Sequence, residues 1–282
     1  MLVPSTALFK AAQKGHYAIP AANFFDLEVL KWHVEVAEKL NMPLILAVAE
    51  SHLGPNINLK DAALVGRKYA ENANVPIVLH LDHGEKPETI KRAIDLGFSS
   101  VMIDASMESL EGNIEKTCEI IDYAHPRGVV VEAEIGHVGT GENYTNHDDC
   151  DSKYTTVEDA KAFIKGTNVD SLAVSIGTAH GMYKGTPKIN FERLKAIAGA
   201  VDTPLVLHGG SSSGDDNLGR CARSGIAKIN IYSDFLGGAM QEINTEKPDN
   251  YLDVIAASKA GVQKTLAHYY NVFGTRKVNA AD

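Results

Sequence analysis

The chain has 282 residues, of which 44% are hydrophobic and 22% charged, with a formal net charge of −9. That length suits one α/β barrel, and a core of this size needs no disulfide staples. The negative balance, with no basic block, argues against nucleic acid and anionic membrane as partners, so an anionic ligand would be held by local backbone N–H groups or a metal.

The three cysteines, Cys118, Cys150 and Cys221, are scattered without a CxxC pair and read as reduced thiols of a cytoplasmic protein. There is no charged-then-apolar N-terminal signal, and no apolar run reaches the length of a membrane span.

In chain order, Ser5–Lys14 has helical spacing with Ser5 placed to cap it, and Tyr17–Ala22 is a short strand ending in Asn23. Asp26–Leu40 is a helix with Leu27, Leu30, Val34 and Ala37 on one face; Pro43–Ala49 is an apolar strand ending in Glu50 and Ser51. A helix over Leu59–Asn72 leads to the strand Val75–Leu81, which runs into Asp82, His83 and Gly84. Next come a helix Pro87–Leu96 closed by Gly97, a strand Ser99–Ile103 ending in Asp104, a helix Leu110–Ala124, and a strand Val129–Ala133 ending in Glu134. The longest irregular piece, Gly136–Tyr154, precedes a helix Thr156–Gly166 with Thr156 as cap. A strand Ser171–Ile176 leads to Gly177, Thr178 and His180; a helix Phe191–Gly199 leads to the strand Pro204–Leu207 and His208. A helix Asp215–Ser224 and a strand Ile226–Ile229 ending in Asn230 follow, and the chain is helical from Phe235.

Eight near-continuous apolar strands alternate with helices. Strands buried on both faces belong to parallel sheets, and eight such units predict a single (β/α)8 TIM barrel over 1–282, with 235–282 as a C-terminal helical extension. The open doubly wound sheet is the alternative, but Asn23-Phe24-Phe25 is not the glycine-rich turn it would want after the first strand. In a barrel the active site lies at the C-terminal ends of the strands. Every strand here ends in a polar group, among them His83, His180, His208, Asp82, Asp104 and Glu134.

Three imidazoles converging on one mouth, His83, His180 and His208, match the donor set of a catalytic zinc site. His16, His33, His52, His125 and His268 fall away from the mouth; His80 shares the face of Asp82. Asp82 adjoins a metal-ligand candidate and suits a general acid/base. Asp104 and Glu134 could orient ligands or offer a second cation position. Glu142, flanked by Gly139 and Gly141, could close on a substrate or be a solvated loop acid. The loops after the seventh and eighth strands, His208-Gly-Gly-Ser-Ser-Ser-Gly214 and Asn230-Ile-Tyr-Ser233, occupy the usual barrel phosphate position.

Taken together, His80-Leu-Asp-His-Gly84, Val101-Met-Ile-Asp-Ala-Ser106, Val131-Glu-Ala-Glu-Ile-Gly136, Ile176-Gly-Thr-Ala-His-Gly-Met-Tyr183, Leu207-His-Gly-Gly210 and Lys228-Ile-Asn230 resemble the class II (zinc-dependent) ketose-phosphate aldolases, the fructose- and tagatose-bisphosphate aldolase family. The resemblance implies Zn2+ on His83, His180 and His208, Asp82 as the residue exchanging the C4-hydroxyl proton, and Glu142 as the acid working on the dihydroxyacetone phosphate carbon. It also implies a second-cation site at Asp104 and Glu134, and a sugar-phosphate cradle of Gly181, Gly209, Gly210, Ser211, Asn230, Tyr232 and Ser233 with Na+ or K+ nearby. Asn23 corresponds to a substrate-contacting Asn.

Members acting on 1,6-bisphosphates usually carry Asp-Pro-Arg before the last helices, where this chain reads Lys247-Pro248-Asp249-Asn250-Tyr251. Tyr232 replaces a small polar residue, and Ala49 a common Ser. The expected substrate is therefore a ketose 1-phosphate whose far end is unphosphorylated. Fructose- or tagatose-1,6-bisphosphate cleavage, with Lys247 or Arg276 holding the second phosphate, is the competing view. A zinc hydrolase and a non-catalytic sugar-phosphate binder are the readings from other classes. Apolar positions Leu252, Ile255, Val262 and Leu266 suit either a homodimer or homotetramer contact or packing on the barrel.

Overall fold

A computed structural model describes residues 1–54, 56–136, 154–179 and 187–278. Among these, eight parallel strands close in sequence order: β1 (Ile19–Asn23), β2 (Leu44–Ala49), β3 (Ile77–Gly84), β4 (Ser100–Ile103), β5 (Val130–Ile135), β6 (Ser171–Val174), β7 (Leu205–Leu207) and β8 (Ile226–Ile231), with β8 pairing back to β1. The expected (β/α)8 TIM barrel is the observed fold, with helices at the C-terminal end.

The strands lie between α1 (Thr6–Gly15), α2 (Leu27–Leu40), α3 (Leu59–Asn72), α4 (Pro87–Asp95), α5 (Leu110–Ala124), α6 (Val157–Thr167), α7 (Phe191–Ala198) and α8 (Asp215–Arg223), followed by α9 (Ser233–Glu246) and α10 (Tyr251–Val272). Several helix starts follow from side-chain caps. Asp26, Asn58, Ser109, Thr156, Asn190 and Asn250 each accept a backbone N–H from the first turn of their helix, each worth about 1 kcal/mol. Ser5 precedes α1 with helical backbone angles and makes no side-chain cap bond.

The barrel interior is layered. At the N-terminal end Phe9 and Ala12 of α1 plug the bore against Ile19, Ala21, Ile45, Ala47 and Val78. The larger apolar cluster fills the space between strands and helices. The two apolar positions Val262 and Leu266 are buried in it, so this part of α10 packs on the barrel, whereas Leu252 is exposed. No helix among the described residues is long and apolar enough to cross a membrane.

Two boundaries differ in ways that matter for the site. β3 does not stop at Leu81 but continues through Asp82 and His83 to Gly84. After β2, Glu50–His52 forms one turn of 3-10 helix that bends the chain back over the mouth.

Candidate active site

Beneath the mouth the bore is polar. His80, Glu132 and Lys228 point inward from β3, β5 and β8, all nearly inaccessible. The Lys228 ammonium donates to both Glu132 oxygens at 2.7 and 2.9 Å. Such a buried pair exists only because each charge neutralises the other. His80 has Nδ1 2.8 Å from Ser100 Oγ and Nε2 3.2 Å from Lys228 Nζ. Burial and the Lys228 charge depress the His80 pKa to about 3, so the imidazole is neutral.

One layer up, β3 delivers two adjacent side chains to the same place. In a regular strand Asp82 and His83 would face opposite sides. Here the β3–β4 register shifts between Leu81 and Gly84, and His83 adopts φ +44°. Such a bulge re-aims side chains at an active-site rim, and both residues reach the mouth. His83 Nδ1 lies 2.8 Å from Asp104 Oδ2 at the end of β4. His208, just past β7, has Nε2 3.0 Å from Glu132 Oε1. The remaining ring nitrogens, His83 Nε2 and His208 Nδ1, are 2.7 Å apart.

The arrangement favours a cation. Asp82, His83 and His208 bring one ligand atom each to within 4.8 Å of one another, as do His83, Asp104 and Glu134. Asp104 and Glu132 each accept from the outer nitrogen of one imidazole, which leaves the inner nitrogens as donors to a metal; this carboxylate–histidine pairing is what metal-ligating histidines have. Burial would depress His83, but Asp82, Asp104 and Glu134 lift its pKa to about 9, while burial and the His83 charge lower that of His208. The third expected ligand, His180, together with Gly181 and the acid Glu142, lies outside the described residues.

Asp82 is held on both oxygens. Asn23 Nδ2 donates to Oδ2 at 2.9 Å and Asn230 Nδ2 to Oδ1 at 2.8 Å. Burial works against the ionised carboxylate, yet His83, His208, Lys228 and His80 hold its pKa well below the ordinary range. The Oδ1 atoms of Asn23 and Asn230 are buried without a hydrogen-bond partner among the described residues. Polar atoms left in that state at a cavity are places for ligand donors.

The loop after β7 is built for close approach. Gly209 has φ +68°, and a Cβ there would sit 2.4 Å from the Ala179 carbonyl oxygen; one on Gly210 would sit 2.7 Å from that of Asn230. Ser211 Oγ accepts from Tyr232 N at 3.0 Å and Asp234 N at 3.4 Å, tying this loop to the start of α9. Asp234 in turn accepts from Ser212 N at 2.9 Å and Ser212 Oγ at 3.1 Å, and receives the Tyr269 hydroxyl of α10. The glycine loop and the start of α9 thus lie side by side at the mouth.

These groups surround a cavity of about 370 Å³ lined by Asn23, Asp82, His83, Asp104, Glu134, Gly209, Gly210, Ser211, Asn230, Tyr232 and Ser233, together with Ala49, Ser51, His52, Glu85 and Ile231. Every sequence-derived site residue within the described part of the chain lines this cavity except His208, which is fully buried and sits against His83.

Four sequence readings need correction. His52 is not away from the mouth: it lines the cavity, its ring centroid 4.2 Å from that of Tyr232. Glu50 does not face the cavity but accepts from Glu85 N, Lys86 N and Thr89 Oγ1, pinning the turn after β2 to the start of α4. Lys247 and Asp249 lie in the α9–α10 connection, the whole length of α9 from the mouth, about 20 Å at helical rise. Arg276 donates to Gly15 O at 2.8 Å beside Tyr17, at the opposite end of the barrel. Sequence reasoning also gave Glu132 and Lys228 no role, although charges inside otherwise apolar strand runs are a signal that something is paired or in use.

The described structure agrees with known proteins throughout its length. The family model for class-II fructose-bisphosphate aldolase matches residues 3–277. The chain is 36% identical over 278 residues, 95% of its length and 93% of the relative's, to a 6-phospho-5-dehydro-2-deoxy-D-gluconate aldolase of Bacillus licheniformis. It is 35% identical over 266 residues, 94% of both lengths, to the Escherichia coli K12 protein YdjI. The crystal structure of that YdjI aldolase superposes with a TM-score of 0.87 at 33% identity over 98% of each chain. A crystal structure of a putative fructose-1,6-bisphosphate aldolase from Coccidioides immitis gives 0.80 at 30% identity, covering 95% of this chain and 96% of that one.

Proposed function

The chain belongs to the class-II fructose-bisphosphate aldolase family, and we propose that its barrel mouth performs zinc-dependent, reversible cleavage of a ketose 1-phosphate to dihydroxyacetone phosphate and an unphosphorylated aldehyde. The observation that carries this reading is a buried carboxylate, Asp82, clamped by Asn23 and Asn230 beside the facing imidazoles of His83 and His208. A base and a metal position so close together suit a reaction that removes a hydroxyl proton as a carbon–carbon bond breaks.

Zn2+, when held by His83, His208 and His180, supplies a Lewis acid that stabilises the negative charge left on the ketone half. The protein does the rest. Asp82 accepts the C4-hydroxyl proton as the C3–C4 bond breaks and C4 becomes the aldehyde carbon; in condensation the proton returns to the aldehyde oxygen. Asn23 and Asn230 fix the Asp82 carboxylate plane, and their own Oδ1 atoms are acceptors for substrate hydroxyls. Glu142 delivers a proton to C3 of the dihydroxyacetone phosphate half and removes it in the reverse direction. Backbone N–H groups of Gly209 and Ser211, with Asn230, Ser233 and Gly181, hold the phosphate, with Na+ or K+ beside it; Gly210, whose own N–H donates to Asn230 O, permits the close approach. Asp104 and Glu134 orient His83 and offer the second cation position. The same reading includes a cytoplasmic homodimer or homotetramer.

The single-phosphate substrate is supported by the lining of the cavity, which has no Lys or Arg among the described residues. The Bacillus licheniformis relative is likewise named for a substrate with one phosphate. A cleavage panel of ketose 1-phosphates and 1,6-bisphosphates tests this. Ketose 1-phosphates are expected to give kcat/KM about tenfold or more above fructose or tagatose 1,6-bisphosphate, the scale of one unfavourable group in a pocket. Faster cleavage of either bisphosphate would overturn it.

A further inference from the structure

We propose that His52, stacked on Tyr232, is a specificity-determining residue that makes a neutral polyhydroxy aldehyde the acceptor of this enzyme. The inference rests on the aldolase reading above and names the class of its second substrate.

The cavity lining holds two chemically different sets of residues. His83, Gly209, Gly210 and Ser211 belong to the metal and phosphate positions of the reading above. Ala49, Ser51, His52, Glu85 and Tyr232 line the same cavity and have no role assigned there. The Tyr232 ring sits between His52, with centroids 4.2 Å apart and planes 32° apart, and Phe25, edge-on at 6.0 Å. Aromatic rings fixed on both sides form a rigid wall that takes the C–H face of a sugar chain.

The wall is pinned from behind. Glu50, two residues before His52, is tied through both oxygens to Glu85 N, Lys86 N and Thr89 Oγ1, and Leu53 N closes the turn on Glu50 O at 3.1 Å. This anchor fixes the backbone that carries His52. Its Nδ1 is buried with no hydrogen-bond partner among the described residues. A buried polar atom of that kind is satisfied by a ligand hydroxyl.

Charge decides the class. The described lining carries Asp82, Glu85, Asp104 and Glu134 but no Lys or Arg. Among the described residues, a phosphate or carboxylate on the acceptor meets carboxylates and no lysine or arginine counter-ion, whereas hydroxyls find Ser51, Glu85, Tyr232 and the His52 nitrogen. A neutral aldose fragment fits both the wall and the field.

The test uses the zinc-loaded enzyme with dihydroxyacetone phosphate and three acceptors: glyceraldehyde, glyceraldehyde 3-phosphate and succinic semialdehyde. The wild type is expected to favour glyceraldehyde in kcat/KM by about tenfold or more over both anions. His52→Ala is expected to lower the ratio of kcat/KM for glyceraldehyde to that for the anions by about tenfold, chiefly through a higher KM for glyceraldehyde. His52→Arg is expected to shift the anion-to-neutral ratio by about tenfold toward the anions. Because each ratio is taken within one enzyme preparation, partial loss of folded protein does not move it. A wild type that prefers either anion, or ratios in both variants within about twofold of wild type, overturns the inference. Solvent-deuterium exchange into dihydroxyacetone phosphate, which needs no acceptor, separates the two levels. Exchange with unmoved ratios overturns this inference alone, and no exchange in the wild type overturns the aldolase reading with it.

Discussion

His83 Nε2 and His208 Nδ1 face each other across the barrel mouth at 2.7 Å. Each ring has its outer nitrogen on a carboxylate, Asp104 for His83 and Glu132 for His208. If both carboxylates accept an N–H, two lone pairs are turned toward one point, which is repulsive unless a proton or a metal ion sits between them. The barrel thus stores a demand for positive charge at its mouth, and the polar layer below, ending in Lys228, holds the Glu132 side of it in place.

Lys228 is therefore expected to govern metal affinity without touching the metal. Lys228→Met leaves Glu132 as a buried carboxylate without its counter-ion, which costs about 3–5 kcal/mol. Loss of His208 orientation weakens metal binding by about 10- to 100-fold. The double variant Lys228→Met/Glu132→Met recovers part of the stability but none of the affinity. Urea unfolding and competition with a chromophoric chelator read the two quantities separately; unchanged affinity in both variants would show that the layer is only structural.

Asp82→Asn is expected to abolish most turnover while leaving the fold intact. Loss of a positioned acid/base costs about 10²–10⁴ in rate. One of the flanking amides, Asn23 or Asn230, can turn over to present Oδ1 to the new NH2 group, while the other goes on donating Nδ2 to the remaining oxygen, so buried donors need not be orphaned. The check is kcat together with the thermal midpoint: a large fall in kcat with a midpoint within a few degrees of wild type. A kcat close to wild type contradicts the role given to Asp82.

The brace from α10 should be felt in phosphate binding. Tyr269 donates to Asp234, which holds Ser212 through N at 2.9 Å and Oγ at 3.1 Å. Tyr269→Phe removes a hydrogen bond to a charged group, about 1.5–3 kcal/mol, and loosens the loop after β7. KM for dihydroxyacetone phosphate is expected to rise several-fold with a smaller change in kcat. Equal falls in both kcat and kcat/KM would place the effect elsewhere.

His33 should give stability a slope at mildly acidic pH. Its Nε2 lies 3.3 Å from the Asn23 carbonyl and its ring packs 4.4 Å from Phe235; burial depresses its pKa to about 4. The unfolded value is about 6.5, so acid protonates the unfolded chain first. The His33 contribution is fully present above pH 6.5 and is lost as pH falls toward 4. Between pH 6.5 and 5 the loss is about 2 kcal/mol. Urea unfolding at pH 7.5 and 5 reads it: His33→Phe should show a smaller drop than wild type by about that amount. An equal drop in both proteins would assign the slope to other groups.

The barrel was legible in the sequence because strands buried on both faces are apolar throughout and each ends in a polar group. Asp82, His83 and His208 were legible as strand-end residues, but their geometry was not. Nothing in His80-Leu-Asp-His-Gly84 announces that His83 takes φ +44° and that the register slips to bring neighbours to one face. His52 was misplaced because its position depends on a turn pinned by Glu50, whose partners lie 35 to 39 residues away in sequence. Glu132 and Lys228 stood in plain view inside apolar runs, alternating with Glu134 and Asn230. Period-two alternation puts each pair on one face, and a carboxylate and an ammonium buried on facing strands could have been paired from that pattern alone.

The most direct test of the account is solvent-deuterium exchange into dihydroxyacetone phosphate, followed by NMR with zinc-loaded enzyme, with chelator-treated enzyme, and after zinc is returned. It needs no acceptor and reads the carbon–proton chemistry at the metal site itself. The account predicts exchange that disappears with the chelator and returns with zinc. Exchange that persists undiminished in chelated, metal-free protein, or no exchange in folded, zinc-loaded protein, would contradict it.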